Sequence, residues 1–181
     1  MKNRERIRFI TVTGIIAGLY AAMTLLLAPL SFGPIQCRLS EALTILAVYT
    51  PMAIPGLTLG CAISNLVGLS MGANVAGALD VLLGPIATGL AAWLTYCWRR
   101  QRIGGLPVLA TLPPIILNAL IVGTELAVVT VPDLTIGGWL FWAGAVGLGQ
   151  VVACMGGGLV LAKTIEKTDF ERYLTSNDYT D

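Results

Sequence analysis

The stretch ALTILAVYTPMAIPGLTLGCAISNLVGLSMGANVAGAL, residues 42–79, contains 38 residues and no charged side chain. A membrane-spanning helix needs about 20 apolar residues, so this stretch is too long for one helix. Pro51 and Pro55 divide it, because proline lacks the N–H group that continues a helix. We therefore predict two short membrane spans here, over residues 40–54 and 55–70.

The rest of the chain has the same apolar character. Of the 181 residues of the whole chain, 56% are apolar or aromatic and 12% are charged. An average soluble domain has about 25% charged residues. Four further spans are predicted, over residues 9–30, 80–98, 107–131 and 136–162. The sequence thus predicts an all-α membrane protein: a compact six-helix domain over residues 9–163, preceded by a basic leader (1–8) and followed by a polar tail (164–181).

The distribution of charge predicts the orientation, because Lys and Arg accumulate on the cytoplasmic side of membrane proteins. With six spans and a cytoplasmic N-terminus, ten of the eleven basic residues lie on the cytoplasmic side. The outer side then carries a net charge of −3, from Arg38, Glu41, Asp80, Glu125 and Asp133. Both termini, the leader and the tail are therefore predicted to be cytoplasmic.

The acids of the outer side are candidate binding residues. Glu41 begins the second span, Asp80 begins the fourth, and Glu125 lies about six residues, or roughly 9 Å, inside the outer end of the fifth. Ionisable groups in spans are costly and usually face a bundle interior or a ligand path. We therefore predict a small-molecule site open to the outside. The alternative is that Arg38 pairs with Glu41, three residues away, and that Asp80 and Ser40 only start helices.

Gln36 and Asn118 add uncharged hydrogen-bonding groups to these candidates. Asn118 precedes Glu125 by seven residues, or two helical turns, and so lies on nearly the same face. For Asn65 and Gln150 a hydrogen bond between helices is the favoured interpretation.

Trp139 and Trp142 lie near the predicted outer boundary of the membrane. Tryptophan is enriched at such boundaries, so an interfacial belt is the favoured interpretation. The alternative is that Trp139 and Trp142 form a stacking wall for a flat heterocycle.

The first span carries small residues at four-residue spacing, on two adjacent lines: Gly14, Gly18 and Ala22, and Ala17 and Ala21. Small residues at that spacing allow another helix to approach closely. The neighbour is either a helix of this chain or a separate subunit.

Several function classes are excluded. The chain has no histidine, which excludes a His-Glu-x-x-His metal site, and no Gly-x-x-x-x-Gly-Lys-Ser/Thr loop, so it does not itself hydrolyse ATP. A net charge of +1 gives no global attraction to nucleic acid, and four scattered cysteines form no disulfide framework. We predict no catalytic residue, metal or cofactor.

The segments QCRLSEAL (36–43), PMAIPGLTLG (51–60), NLVG (65–68), LDV (79–81) and NALIVG (118–123) resemble the QueT family. The resemblance covers residues 5–163. It implies a substrate-binding (S) component of an energy-coupling factor (ECF) transporter for queuosine precursors, located in the bacterial cytoplasmic membrane. The implied partners are the lipid bilayer, a transmembrane coupling subunit and two cytoplasmic ATPase subunits. In that group an Ala-x-x-x-Ala stripe on the first helix meets the coupling subunit, and Ala17 and Ala21 fit it.

A 7-deazaguanine ligand agrees with the predicted acids, because its ring N–H and exocyclic amine can both donate to one carboxylate. The aminomethyl form also carries a cation. We expect Glu41 and Glu125 to be the acceptors, in either order, and Arg38 to orient Glu41 or hold a carbonyl oxygen. The supporting candidates are Gln36, Asp80, Asn118 and Trp139. The alternatives are an S component for another vitamin-like solute, and a membrane enzyme or assembly factor that uses Glu41 or Glu125.

Overall fold

The computed structural model describes residues 3–33 and 36–168, so residues 1–2 of the predicted leader and 169–181 of the predicted tail lie outside it. The described chain is helical and contains no β-strand. Its elements are α1 (Asn3–Leu26), α2 (Ala28–Ser31), a 3₁₀ helix (Leu39–Val48), α3 (Ala53–Ser70), α4 (Ala78–Cys97), a 3₁₀ turn (Leu109–Thr111), α5 (Leu112–Thr130), α6 (Ile136–Gln150), a π segment (Val151–Gly158) and α7 (Leu159–Lys167). The all-α prediction is confirmed.

Five of the described helices are long and apolar enough to cross a membrane: Asn3–Leu26, Ala53–Ser70, Ala78–Cys97, Leu109–Thr130 and Ile136–Lys167. The last of these joins α6, the π segment and α7 into one helix. The 3₁₀ helix is apolar but shorter. The six-span count and the cytoplasmic termini therefore stay predictions.

The uncharged stretch 42–79 is divided near Pro51. The 3₁₀ helix ends at Val48 and α3 begins at Ala53, so Pro51 lies in the connection between them. Pro55 is the third residue of α3, where its missing N–H would have no helical acceptor in any case. It therefore lies inside the first turn of α3, not at the division.

Consecutive long helices pack side by side, α1 on α3, α3 on α4, α4 on α5 and α5 on α6. Two of these contacts depend on glycine. A Cβ atom at Gly60 would lie 2.8 Å from the Ala17 carbonyl oxygen, and one at Gly123 would lie 2.6 Å from the Ala143 Cα. Small residues thus allow the close helix approach that is typical of membrane bundles.

The chain reverses direction at each connection, which gives the bundle two ends of different charge. The acidic end contains the connections after α2, α3 and α5, with Arg38 and Asp133, and the first turn of α4, with Asp80. The basic end contains the start of α1, the connections after the 3₁₀ helix and α4, and the end of α7. Its basic residues within the described chain are Arg4, Arg6, Arg8, Arg99, Arg100, Arg102, Lys163 and Lys167.

The 3₁₀ helix lies inside this bundle. Residues 40–48 are all buried, and the helix packs against α1, α3, α4, the π segment and α7. It therefore carries Glu41 from the acidic end into the interior.

Candidate functional site

Arg38 lies at the start of the 3₁₀ helix and is buried, with 2% of its surface exposed. Its guanidinium forms an ion pair with Asp80 of α4, and its Nε donates to the Ser31 carbonyl oxygen at 3.3 Å. The Phe32 ring lies beneath it, 5.6 Å from the guanidinium carbon to the ring centroid. The local pairing of Arg38 with Glu41 is therefore not formed, and the ion-pair partner is 42 residues away.

Asp80 is held by two amides as well as by Arg38. Asn74 Nδ2 donates to Asp80 Oδ2 at 3.0 Å, and Asn65 Nδ2 donates to the Asp80 backbone carbonyl at 2.6 Å. The Asn65 bond joins α3 to α4, which confirms the interhelical interpretation of that amide. Gly84 allows this packing, because a Cβ atom there would lie 2.5 Å from Asp80 Oδ1. That Oδ1 atom is buried and accepts no hydrogen bond.

Glu41 is fully buried, and its oxygens are occupied by hydroxyl groups. Oε1 accepts from the Tyr20 hydroxyl at 2.5 Å and from the Thr88 hydroxyl at 2.8 Å. The Thr44 hydroxyl lies 3.0 Å from Oε2. Hydrogen bonds to an ionised carboxylate are stronger than neutral ones, so α1, α4 and the 3₁₀ helix together fix Glu41 in place.

Glu125 on α5 presents the opposite case. Its side chain is 3% exposed, and both carboxylate oxygens are buried without a hydrogen-bond partner. The charged groups that act on it are the Asp80 carboxylate and the Arg38 guanidinium. Because an unpartnered buried polar group is costly, a native protein that keeps one needs a reason. Glu125 is therefore the best placed carboxylate to receive donors from a ligand.

Gln36 is another buried side chain with an unused hydrogen-bonding group. It is 1% exposed, and its Nε2 has no hydrogen-bond partner. Its φ of 43° lies in the left-handed region, which residues other than glycine rarely adopt. Asn118 is also buried, but its Nδ2 donates to the Pro114 carbonyl at 2.9 Å, one turn earlier in α5. Its donor is thus used within its own helix.

Trp139 lies at a cavity of its own, beside Thr124 of α5. Its Nε1 donates to the Thr124 hydroxyl at 2.8 Å, and its ring lines an open cavity of about 210 Å³ with Leu134, Thr135 and Ile136. None of the predicted acids lines this cavity, which is also smaller than the roughly 300–1,000 Å³ of typical ligand pockets.

The structure thus brings four predicted residues together as one buried group, the carboxylate cluster: Arg38, Glu41, Asp80 and Glu125. The cluster holds one guanidinium and three carboxylates, a formal charge of −2 when all four are ionised. Sequence reasoning missed the hydroxyls that hold Glu41. One signal was present, since Thr44 follows Glu41 by three residues and is therefore a near neighbour on the same short helix.

The small residues of α1 divide between two environments. Ala17 and Ala21 are buried, and Ala17 lies against Gly60 of α3. Gly14, Gly18 and Ala22 are exposed, and a Cβ atom at Gly14 or Gly18 would meet nothing within 4 Å. Only the line formed by Gly14, Gly18 and Ala22 is therefore open to another molecule.

Comparison with known proteins identifies the family of the chain. The sequence model of the QueT transporter family matches residues 10–167. The chain belongs to the QueT transporter family. The resemblance seen in the sequence is thereby confirmed; the family is one of transporters, not of enzymes, and the chain is a multi-pass protein of the bacterial plasma membrane.

A curated relative, the queuosine precursor transporter QueT of Lactococcus lactis subsp. cremoris (strain MG1363), is 33% identical over 90 residues. The match covers 49% of this chain and 48% of the relative, so the chain matches about half the length of that protein. No solved structure matches the chain.

Proposed function

We propose that this chain is the S component of an ECF transporter and binds a queuosine precursor of the 7-deazaguanine class. The ligand enters from the acidic end, which faces the outside of the cell. A transmembrane coupling subunit and two cytoplasmic ATPase subunits complete the transporter and supply the energy for uptake. The family match and the curated relative support transport of such a precursor, and the chemistry of the carboxylate cluster supports the site.

The observation that carries the proposal is the pair of unpartnered oxygens on Glu125. The edge of a 7-deazaguanine carries a ring N–H and an exocyclic amine side by side, which is the donor pattern that one carboxylate accepts in a bidentate manner. Glu41 offers less, because hydroxyls of three residues already occupy it. We therefore propose that Glu125 accepts the hydrogen bonds of the base edge. Glu41, held in place by hydroxyl groups, contributes a fixed carboxylate near the ligand.

The remaining groups of the ligand have proposed partners as well. The free Nε2 of Gln36 is a donor for the exocyclic carbonyl oxygen of the base. The ammonium of an aminomethyl or queuine side chain would reduce the negative charge of the carboxylate cluster, which a neutral ligand would not do. A 7-deazaguanine that carries a protonated amine is thus the ligand that the cluster suits best.

Binding by the isolated chain tests this proposal. The full chain, purified in nanodiscs, is titrated with aminomethyl-7-deazaguanine, queuine, guanine, thiamine and biotin. We expect the first two to bind, and guanine to bind about tenfold or more weakly because it lacks the ammonium. Tight binding of thiamine or biotin without binding of any deazaguanine would refute the substrate assignment.

The exposed line of Gly14, Gly18 and Ala22 is the surface that we assign to the coupling subunit. Gly18→Trp should abolish uptake of the ligand by cells that express the complete transporter, because a large side chain prevents close helix approach. Binding by the isolated chain should be unchanged, since a Cβ atom at Gly18 meets nothing.

Leu19→Trp is the matched control, because Leu19 is exposed but lies about 100° away around the helix. It should keep normal uptake. Normal uptake by Gly18→Trp, or loss of ligand binding together with uptake, would contradict the assigned surface.

A further inference from the structure

The 3₁₀ helix Leu39–Val48 is unusually long for its type. At its start the Glu41 N–H donates to the Arg38 carbonyl at 3.0 Å, and after its end the Tyr49 N–H donates to the Leu46 carbonyl at 3.0 Å. Both bonds join residues three apart, whereas 3₁₀ runs longer than about four residues are uncommon. The segment LSEALTILAV contains no glycine or proline and is rich in residues that accept the α-helix. Its surroundings, and not its sequence, therefore impose the 3₁₀ form.

This form makes the segment longer than an α-helix of the same residues. A 3₁₀ helix rises about 2.0 Å per residue and an α-helix about 1.5 Å, so ten residues cover about 20 Å in place of about 15 Å. The segment must accordingly be held at both ends, because otherwise it could shorten by about 5 Å.

At the acidic end, residues of the candidate site hold the 3₁₀ helix in place. Arg38 is paired with Asp80 of α4, and Glu41 is bound by Tyr20 of α1 and Thr88 of α4. The buried hydrogen bonds fix the start of the 3₁₀ helix against two long helices.

At the basic end, the 3₁₀ helix is held by side chains that have no part in the proposed ligand binding. The Tyr49 hydroxyl donates to Glu166 Oε1 of α7 at 2.9 Å and lies 3.4 Å from the Ala162 carbonyl oxygen. Glu166 in turn forms an ion pair with Arg102 of the connection between α4 and α5. Tyr49 is therefore tied to two elements that meet at the basic end.

We infer that Tyr49 and Glu166 are positioning residues, which hold Glu41 and Arg38 in their binding geometry through the extended 3₁₀ helix. When the contact between Tyr49 and Glu166 is broken, the basic end of the 3₁₀ helix is released, the helix shortens toward α geometry, and the contacts of Cys37, Arg38 and Glu41 at its acidic end loosen. The inference rests on the proposed function for its meaning, since it links the ligand site to the basic end, where the coupling subunit and ATPases would act. The link itself is a property of the fold and can be measured without a ligand.

Cys37 provides the reporter for this test. It precedes Arg38, is partly exposed, and its thiol donates to the Gly149 carbonyl at 3.5 Å. Cys61 and Cys154 are buried, and Cys97 is exposed, so a Cys97→Ser background makes Cys37 the accessible thiol. The rate at which a maleimide modifies Cys37, followed by mass spectrometry of the full chain in nanodiscs, reports on the acidic end.

Tyr49→Phe removes one hydroxyl and keeps the ring. We expect it to speed modification of Cys37 by about fivefold or more, and to weaken binding of aminomethyl-7-deazaguanine by a similar factor. The control is Tyr96→Phe, which makes the same change at the basic end, where the Tyr96 ring stacks under Arg99 at 3.9 Å. It should leave both quantities within about twofold of the parent.

An unchanged rate of Cys37 modification in Tyr49→Phe overturns the inference. A faster rate with unchanged affinity for aminomethyl-7-deazaguanine overturns it as well, because the binding geometry of Glu41 would then not depend on Tyr49. Failure of the parent chain to bind any deazaguanine refutes the proposed function instead, and the Cys37 rates still decide whether the two ends are linked.

Discussion

Glu125→Gln should weaken binding of aminomethyl-7-deazaguanine by about 1.5–3 kcal/mol, or roughly 10- to 150-fold. The change keeps the size of the side chain but replaces one acceptor oxygen by an NH₂ group, which would face the donor edge of the base. The charge that favours the ligand ammonium is lost as well. The measurement is the dissociation constant of the purified chain in nanodiscs.

The variant should remain folded, because Glu125 makes no hydrogen bond that glutamine would lose. Without ligand, its thermal stability should be close to that of the parent, since glutamine has the same size and no hydrogen bond is lost. Glu5→Gln is the control: it removes a carboxylate at the start of α1, at the basic end, and should leave the affinity within about twofold. Unchanged affinity in Glu125→Gln would remove Glu125 from the site.

Asp80→Asn should destabilise the chain by about 3–5 kcal/mol, because it leaves the Arg38 guanidinium buried without its counter-charge. The pair is enclosed on both sides, with 2% and 0% of the two side chains exposed, so water cannot take the place of the carboxylate. The measurement is thermal unfolding of the purified chain in detergent without ligand.

Two further variants separate this effect from a general loss of charge. Asp133→Asn, at an exposed position on the same end, should change stability by no more than about 0.5 kcal/mol. Arg38→Gln combined with Asp80→Asn should recover part of the loss, since no buried charge is then left alone. Parent-like stability of Asp80→Asn would show that the pair does not support the fold.

The long helices could be predicted from the sequence because apolar stretches in a membrane must satisfy their backbone groups internally. The span predicted over 80–98 is α4, Ala78–Cys97. The 3₁₀ form of Leu39–Val48 could not be predicted in the same way. Its residues favour an α-helix, and the longer form depends on contacts that Arg38 and Tyr49 make with helices distant in sequence.

The sequence indicates Arg38, Glu41, Asp80 and Glu125 as candidate binding residues, but it does not indicate which side chains each of them contacts. Glu41 and Glu125 look equivalent in the sequence, since each is an acid near the end of an apolar stretch. The difference between them comes from Tyr20 and Thr88, which lie 21 and 47 residues from Glu41. The partner of Arg38 is likewise 42 residues away, whereas spacing alone favoured Glu41. Such pairings depend on which helices become neighbours, and local patterns do not carry that information.

An experimental structure of the chain with bound aminomethyl-7-deazaguanine tests the central claim most directly. The proposal predicts that the ring N–H and exocyclic amine of the base lie about 2.7–3.2 Å from the two oxygens of Glu125, inside the carboxylate cluster. A ligand seated in the open cavity beside Trp139, with both Glu125 oxygens still unpartnered, would contradict it.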